Sequence, residues 1–241
     1  TPDDPLALGM VDALEAEGIR AFGPNKKAAE IESSKVFAKN MMKKYGIPTA
    51  AYETFDSSEK AINYIKSRNE YPTVIKADGL ALGKGVIIAK DFEEAKAAVI
   101  EIMENKKFGE SGNRVVIEQY LEGVEVSVLS FTDGKTIVPM VSAKDHKRAF
   151  DGNTGPNTGG MGTISDNPFY TKEIAEKCME RIFKPTVKAL NKEGRPFKGV
   201  IFFGLMISRG EPYVIEYNAR FGDPETQVVL PRLNSNLLDI M

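Results

Sequence analysis

Pro212-Tyr213-Val214-Ile215-Glu216-Tyr217-Asn218-Ala219-Arg220-Phe221-Gly222-Asp223-Pro224-Glu225 opens like a strand, with β-branched and aromatic residues after a turn at Gly210-Glu211-Pro212. Side chains alternate along a strand, so Glu216 and Asn218 share one face and Arg220 continues that parity. Tyr213, Ile215 and Tyr217 take the other face, which is apolar enough to be core. A carboxylate and an amide oxygen two residues apart form a hard-oxygen pair of the kind that holds Mg²⁺. An arginine just beyond them offers a phosphate its fork of donors. A strand that runs out into solvent would carry the same polar end, and the pair alone does not separate the two.

The apolar run over residues 199–207 reads as a strand buried on both faces. It pairs with the Glu216 strand across Arg209-Gly210-Glu211-Pro212, which places the polar pair on a central hairpin. With 241 residues the chain suffices for one large domain or two modest ones. A net charge of −2 gives no support to a nucleic-acid or membrane-surface role. The single cysteine, Cys178, precludes an intrachain disulfide and fits a reducing, cytoplasmic compartment. No apolar run approaches the ~20 residues of a membrane span, and no signal peptide is visible. The chain begins without Met and stops in an apolar segment over 237–241. It is expected to be a piece of a longer enzyme.

Nearer the start, residues 6–16 carry helical spacing with Gly18 as a stop, and residues 19–22 read as a short strand. A second helix begins at Ser33 or Ser34 and runs to Lys44, ahead of Gly46 and Pro48. Lys35 falls in its first turn, an unfavourable place for a cation unless an anion is nearby; a solvated lysine is the alternative. From 50 to 116 the elements alternate: helix over 59–67, strand over 73–76, glycine loop, strand over 86–88, a helix started by Asp91 and Glu94, then strand over 114–118. This pattern is a small α+β lobe.

Gly79, Gly83 and Gly85 let the backbone of that loop approach an anion, and Lys76 and Lys84 flank it. It is no Walker A loop, because Gly79 to Gly83 is one residue short and Lys84 is followed by Gly. A flexible hairpin tip is the competing reading. Residues 118–125 join this lobe to the next. Their free backbone groups suit a purine edge and Glu125 suits ribose hydroxyls, unless the segment is simply an acidic connection. Two strands follow around Asp133-Gly134. Residues 144–162 read as a long structureless loop with a basic head, suited to a phosphorylated or carboxylate substrate. His146, the only histidine, invites a catalytic role, although a lone histidine among charges is more often a supporting residue. Thr171 caps a helix that Pro185 kinks or restarts.

Together these stretches resemble the ATP-grasp superfamily and, within it, the phosphoribosylamine–glycine ligase (glycinamide ribonucleotide synthetase) family. The resemblance rests on four motifs in order: residues 76–85, Asp145-His146-Lys147-Arg148, residues 154–162, and residues 220–227. It implies an α+β ATP-grasp fold, two α+β lobes with the nucleotide between them. Residues 25–50 and 119–241 would form the large lobe, residues 51–118 the small lobe, and residues 1–24 the tail of an amino-terminal substrate-binding domain. It implies that ATP, glycine and 5-phosphoribosylamine give glycinamide ribonucleotide, ADP and phosphate through a glycyl phosphate, in purine biosynthesis.

Carried over by position, Lys35 and Lys76 hold the ATP phosphates under a loop that includes Gly79, Gly83, Lys84 and Gly85. Glu118 and the backbone of Gln119, Tyr120 and Leu121 read adenine, and Glu125 takes the ribose. Glu216 and Asn218 ligate Mg²⁺ or Mn²⁺; Arg220, with Lys76 and Asp223, serves the chemistry. Asp145, Lys147, Asn157, Gly159, Gly160 and Asp223 line the substrate side. The implied partners are small molecules, with neither nucleic acid nor membrane, and the parent enzyme is expected to be a monomer. A piece of this extent is expected to bind nucleotide without full ligase activity. The alternatives are another ATP-grasp carboxylate–amine ligase, which glycine-dependent phosphate release would distinguish, and a non-catalytic nucleotide-binding module.

Overall fold

The computed structural model describes residues 2–81, 85–152 and 154–241, without the side chains of Pro156 and Asn157. The helix expected over 6–16 is two, α1 (Asp3–Leu8) and α2 (Met10–Ala16). Gly9 separates them at a φ of +99°, where it closes α1 by donating to Leu6 O at 3.0 Å. Residues 19–22, expected as a strand, join no ladder among the described residues. A strand needs a hydrogen-bonding neighbour; this segment instead lays Phe22 on Phe131, with ring centroids 6.3 Å apart. Asn25 then caps α3 (Lys26–Ser33), accepting from Ala28 N at 2.9 Å. Ser34 caps α4 (Lys35–Tyr45), accepting from Phe37 N at 3.1 Å. The expected helix start is that of α4. The preceding α3 goes unread because Asn25, behind Gly23-Pro24, reads as a turn residue.

The next stretch builds one antiparallel sheet from β1 (Tyr52–Phe55), β2 (Thr73–Ala77), β3 (Val86–Ala89) and β4 (Val115–Gln119), in the order β1-β4-β2-β3. Helices α5 (Ser58–Arg68) and α6 (Phe92–Val99) cover it. They bury Ala61, Ile65, Ala95 and Val99 against Ile75 and Ile117 in a core of its own.

A second antiparallel sheet comprises β5 (Val124–Thr132), β6 (Ile137–Pro139), β11 (Gly199–Ser208) and β12 (Glu211–Asn218), in the order β12-β11-β5-β6. Between β6 and β11 the expected structureless loop is folded. β7 (Lys144–Asp145) pairs with β10 (Thr163–Ile164), and β8 (Arg148–Phe150) with β9 (Thr154–Asn157). Backbone bonds such as Thr158 N to Lys147 O, 2.7 Å, replace the solvent that an open loop would need. Helices α7 (Lys172–Cys178) and α8 (Lys184–Lys192) are joined through a π turn, Met179–Phe183, and Pro185 is the second residue of α8. Short helices α9 (Thr226–Val229) and α10 (Leu237–Ile240) end the chain.

Two expectations about β12 need correction. Its register runs Gly204↔Glu216 and then Leu205↔Val214, so Ile215 is an extra, bulged residue. The bulge flips the alternation: Val214 and Tyr217, at 0% and 3% exposure, both enter the core, while Ile215 and Glu216 both line the cleft. Strand β12 is also the terminal strand of its sheet and not a central one. Its outer side is covered all the same, by Val214 N donating to Pro48 O at 2.9 Å and Thr49 Oγ1 to Val214 O at 2.7 Å.

Candidate active site

A cleft of about 990 Å³ separates the two sheets. Lys35, from the first turn of α4, and Lys76, from β2, enter it from different elements. Lys35 Nζ donates to Gly79 O at 2.7 Å, and Lys76 Nζ donates at 2.8 Å to the carbonyl of the bulged Ile215. The anion that a lysine at a helix start requires is Asp78, whose Oδ1 accepts from Ser34 Oγ at 3.1 Å and Val36 N at 3.0 Å. Burial and then the charge of Lys76 hold the Lys35 ammonium below the usual lysine range, with Glu216 and Asp78 opposing. Gly79 and Gly85 line the same wall, while Gly83 and Lys84 lie outside the described residues.

Glu216 faces Lys147 Nζ at 3.4 Å. That ammonium, against the opposing effect of burial, and then Lys76 and Lys35 keep the Glu216 carboxyl below the usual range, hence ionised. Lys147 is pushed up in turn, mainly by Glu216, and also lies 3.6 Å from Glu125. Beside them Glu32 of α3 accepts from Ala219 N at 2.7 Å and pairs with Arg220 at 3.0 Å, so a buried carboxylate anchors the arginine. Glu216 and Asn218 supply one ionised and one neutral hard oxygen, a donor set that fits Mg²⁺ or Mn²⁺. Among the described residues no group of three or more His, Cys, Asp or Glu could hold a metal alone, so phosphate and water oxygens would complete the shell.

Tyr120, Leu121 and Glu125 line the far end of the cleft. Gln119 does not: it is exposed, and its N–H donates to Ala51 O at 2.9 Å. The Glu118 carboxylate is held between Lys39 at 3.1 Å and Lys76 at 3.0 Å, so it serves cations before any base. On the opposite side Asp145 is pushed up to about 6 by burial and the neighbouring Glu225. Gly159 lines the cleft, and Gly160 stands behind it, where a β-carbon would come within 2.9 Å of Asp145 Oδ1. Asp223 lines the rim and accepts from Gln227 Nε2 at 2.6 Å. The side chain of Asn157 lies outside the described residues. His146 is exposed, with Nδ1 3.2 Å from Gly162 O, in a position that ties the β7–β10 loop together.

The model of the phosphoribosylglycinamide synthetase ATP-grasp (A) domain matches residues 33–226. The chain belongs to that family. This ATP-grasp domain is 53% identical over 240 residues to the phosphoribosylamine–glycine ligase of Halalkalibacterium halodurans, a match covering 100% of the chain and 56% of that relative. The chain thus spans little more than half the length of the curated relatives it matches. Among solved structures it is similar to the phosphoribosylamine–glycine ligase of Thermotoga maritima, with a TM-score of 0.81, 40% identity, and coverage of 87% of this chain and 53% of that one. Its fold is shared with the biotin carboxylase domain of Hydrogenobacter thermophilus 2-oxoglutarate carboxylase, with a TM-score of 0.74, 20% identity, and coverage of 95% and 49%. The fold is the α+β ATP-grasp fold. No helix among the described residues is long and apolar enough to cross a membrane.

Three charged groups of this ATP-grasp site escape a reading of the sequence. Lys39 stands one turn beyond Lys35 on α4, and that i,i+4 spacing was the available signal. Glu225 closes the stretch quoted first, yet only the structure shows it buried and accepting from Ser127 Oγ at 2.9 Å. Glu32 gives no local signal, since its partners are 187 and 188 residues away.

Proposed function

We propose that the cleft is the nucleotide and acyl-phosphate site of a phosphoribosylamine–glycine ligase, an ATP-dependent carbon–nitrogen ligase of purine biosynthesis. The observation that carries this is the meeting of Lys35, Lys76 and an ionised Glu216, from three separate elements, around the bulge of β12. A triphosphate needs cations at its oxygens, and a divalent metal accompanying it would need an ionised oxygen ligand. In this reading Lys35 and Lys76 exchange their carbonyl partners for phosphate oxygens, beneath the loop that starts at Gly79. Tyr120 and Leu121 offer backbone groups to adenine, and Glu125 takes the ribose. Glu118 acts through the lysines it holds. Glu216 and Asn218 would hold Mg²⁺ or Mn²⁺, which would supply neutralisation of the phosphate charge.

A glycine carboxylate oxygen attacks the γ-phosphorus, the β–γ bridging P–O bond breaks, and ADP leaves. The amine of 5-phosphoribosylamine then attacks the glycyl carbonyl and displaces phosphate, losing its proton to give the amide. Arg220, oriented by Glu32, spreads its charge over the transferring group. Asp145, Lys147, Gly159, Gly160, Asp223 and, by position, Asn157 face the substrates. Residues 25–50 and 119–241 act as the large lobe, residues 51–118 as the small lobe, and residues 1–24 belong with a substrate-binding domain. A cytoplasmic enzyme acting on small molecules as a monomer is consistent with this chemistry.

Calorimetric titration of ATP with Mg²⁺ into the chain, beside Glu216→Ala and Lys76→Ala, tests the reading. Micromolar-range binding in the wild type and a loss of at least tenfold, about 1.4 kcal/mol, in each variant are expected. A folded wild-type chain that binds no nucleotide would overturn it.

A further inference from the structure

Lys39 is only 2% exposed. Its ammonium donates to Thr49 Oγ1 at 2.7 Å and to Ala50 O at 3.4 Å, and it lies 3.1 Å from Glu118 Oε2. The other oxygen of that carboxylate lies 3.0 Å from Lys76 Nζ. The Tyr52 ring is 5.2 Å from Lys39 Nζ, and Lys43 approaches the same ring at 5.6 Å. The groups around Lys39 are therefore Glu118 on β4, Lys76 on β2, Tyr52 on β1 and, on its own helix, Lys43. Two ammoniums share one carboxylate, so this buried trio carries an unbalanced positive charge.

Folding alone does not ask for that charge. Burying an ion is costly, and a Glu118–Lys76 pair without Lys39 would be balanced. The surplus faces the cleft, which Lys39, Lys76 and Glu118 all line. We propose that Lys39 is a positioning residue for the nucleotide site: by engaging one oxygen of Glu118 it leaves that carboxylate able to neutralise Lys76 only in part, and Lys76 presents the remaining charge to an oligophosphate. This rests on the nucleotide reading above. It also gives the site a pH response. Burial pushes the Lys39 ammonium down to about 8, with Glu118 opposing and Lys76 adding to the shift. As pH rises through that value Lys39 becomes neutral, Glu118 turns wholly to Lys76, and oligophosphate affinity falls, by at most about tenfold per pH unit for one proton.

The test has two readouts. In the chain labelled with ¹⁵N-lysine and free of nucleotide, the Lys76 side-chain resonance is followed from about pH 7 to 9.5, a range bracketing the Lys39 transition. It is expected to move with a midpoint near 8 in the wild type, and to lose that transition in Lys39→Met, which keeps the stem without the charge. Calorimetry with MgATP is expected to show affinity falling about tenfold over the same range in the wild type. Lys39→Met should bind about tenfold more weakly at neutral pH, with a flat profile. A Lys76 resonance indifferent to the Lys39 titration overturns the proposal, as does unchanged affinity and pH dependence in Lys39→Met. Absence of MgATP binding by the wild type would refute the nucleotide reading, while the resonance still decides whether Lys39 controls Lys76. Should Lys39→Met fail to fold, the wild-type titration alone decides the same point.

Discussion

Asp145 shows how a single side chain registers its surroundings. One of its oxygens is buried without a hydrogen-bond partner among the described residues, and burial with Glu225 nearby raises its carboxyl to about 6. A carboxyl with a raised folded pKa binds its proton more tightly in the native chain. Ionising it therefore costs stability above about pH 6, and the penalty fades as pH falls through that value towards the unfolded pKa of about 3.9. Asp145→Asn should accordingly raise the melting temperature near pH 7.5 and give almost no gain near pH 3.5, where both forms are neutral. Scanning calorimetry at the two pH values checks this; an equal gain at both would show that the effect is not one of charge. Candidate residues were legible in the sequence at this scale where a motif marked them, as with Lys76 beside its glycine loop and Glu216, Asn218 and Arg220 along one strand, and Lys35 and Lys147 through the resemblance. Their partners were not, because Glu32, Lys39 and Glu225 act across folds of the chain that no local spacing reports.

At the scale of elements the β12 bulge decides the site. Opposite Glu216 the sequence has Gly204, and a β-carbon there would lie 2.6 Å from Glu216 Cγ. Glu216 lies over its cross-strand neighbour only because that neighbour has no side chain. Gly204→Ala should push Glu216 out of place and weaken MgATP binding at least tenfold, about 1.4 kcal/mol, while circular dichroism shows both sheets retained. Unaltered affinity would mean that the position of Glu216 does not matter to the nucleotide. Capping residues were readable in advance, since Ser34, Asp91 and Thr171 each accept from an amide of the helix they start. The bulge was not, because an apolar Ile215 in a run of apolar and aromatic residues looks the same whether or not it has a partner. Only the register with β11 reveals the extra residue.

On the scale of the molecule, the apolar cores of the two sheets are separate clusters. Across the cleft the chain relies on polar ties: Asp78 to Ser34 and Val36, Lys35 to Gly79, Lys76 to Ile215, and Lys39 to Glu118. A net polar tie contributes little compared with a packed apolar interface, so the small sheet with α5 and α6 is expected to shift as a body when phosphate oxygens compete for these lysines. A nucleotide that takes over the lysines should slow amide exchange at Gly79 and Gly85 and leave the β5–β11 core unchanged. MgATP at a hundredfold excess over its Kd should add about 2.7 kcal/mol to unfolding. Identical exchange at these glycines with and without MgATP would sink the idea of a moving lobe. The sequence by itself determined most of the helices and strands, the alternation over residues 50–116 that makes a small α+β lobe, and which charged residues could serve a phosphate or a metal, because these follow from local spacing and side-chain chemistry. Tertiary structure alone decided the folding of residues 144–162, the reversal of faces at Ile215, and the cation trio around Glu118. Each of these depends on which distant backbone group or charge comes within about 3 Å, and a linear sequence carries no such distance.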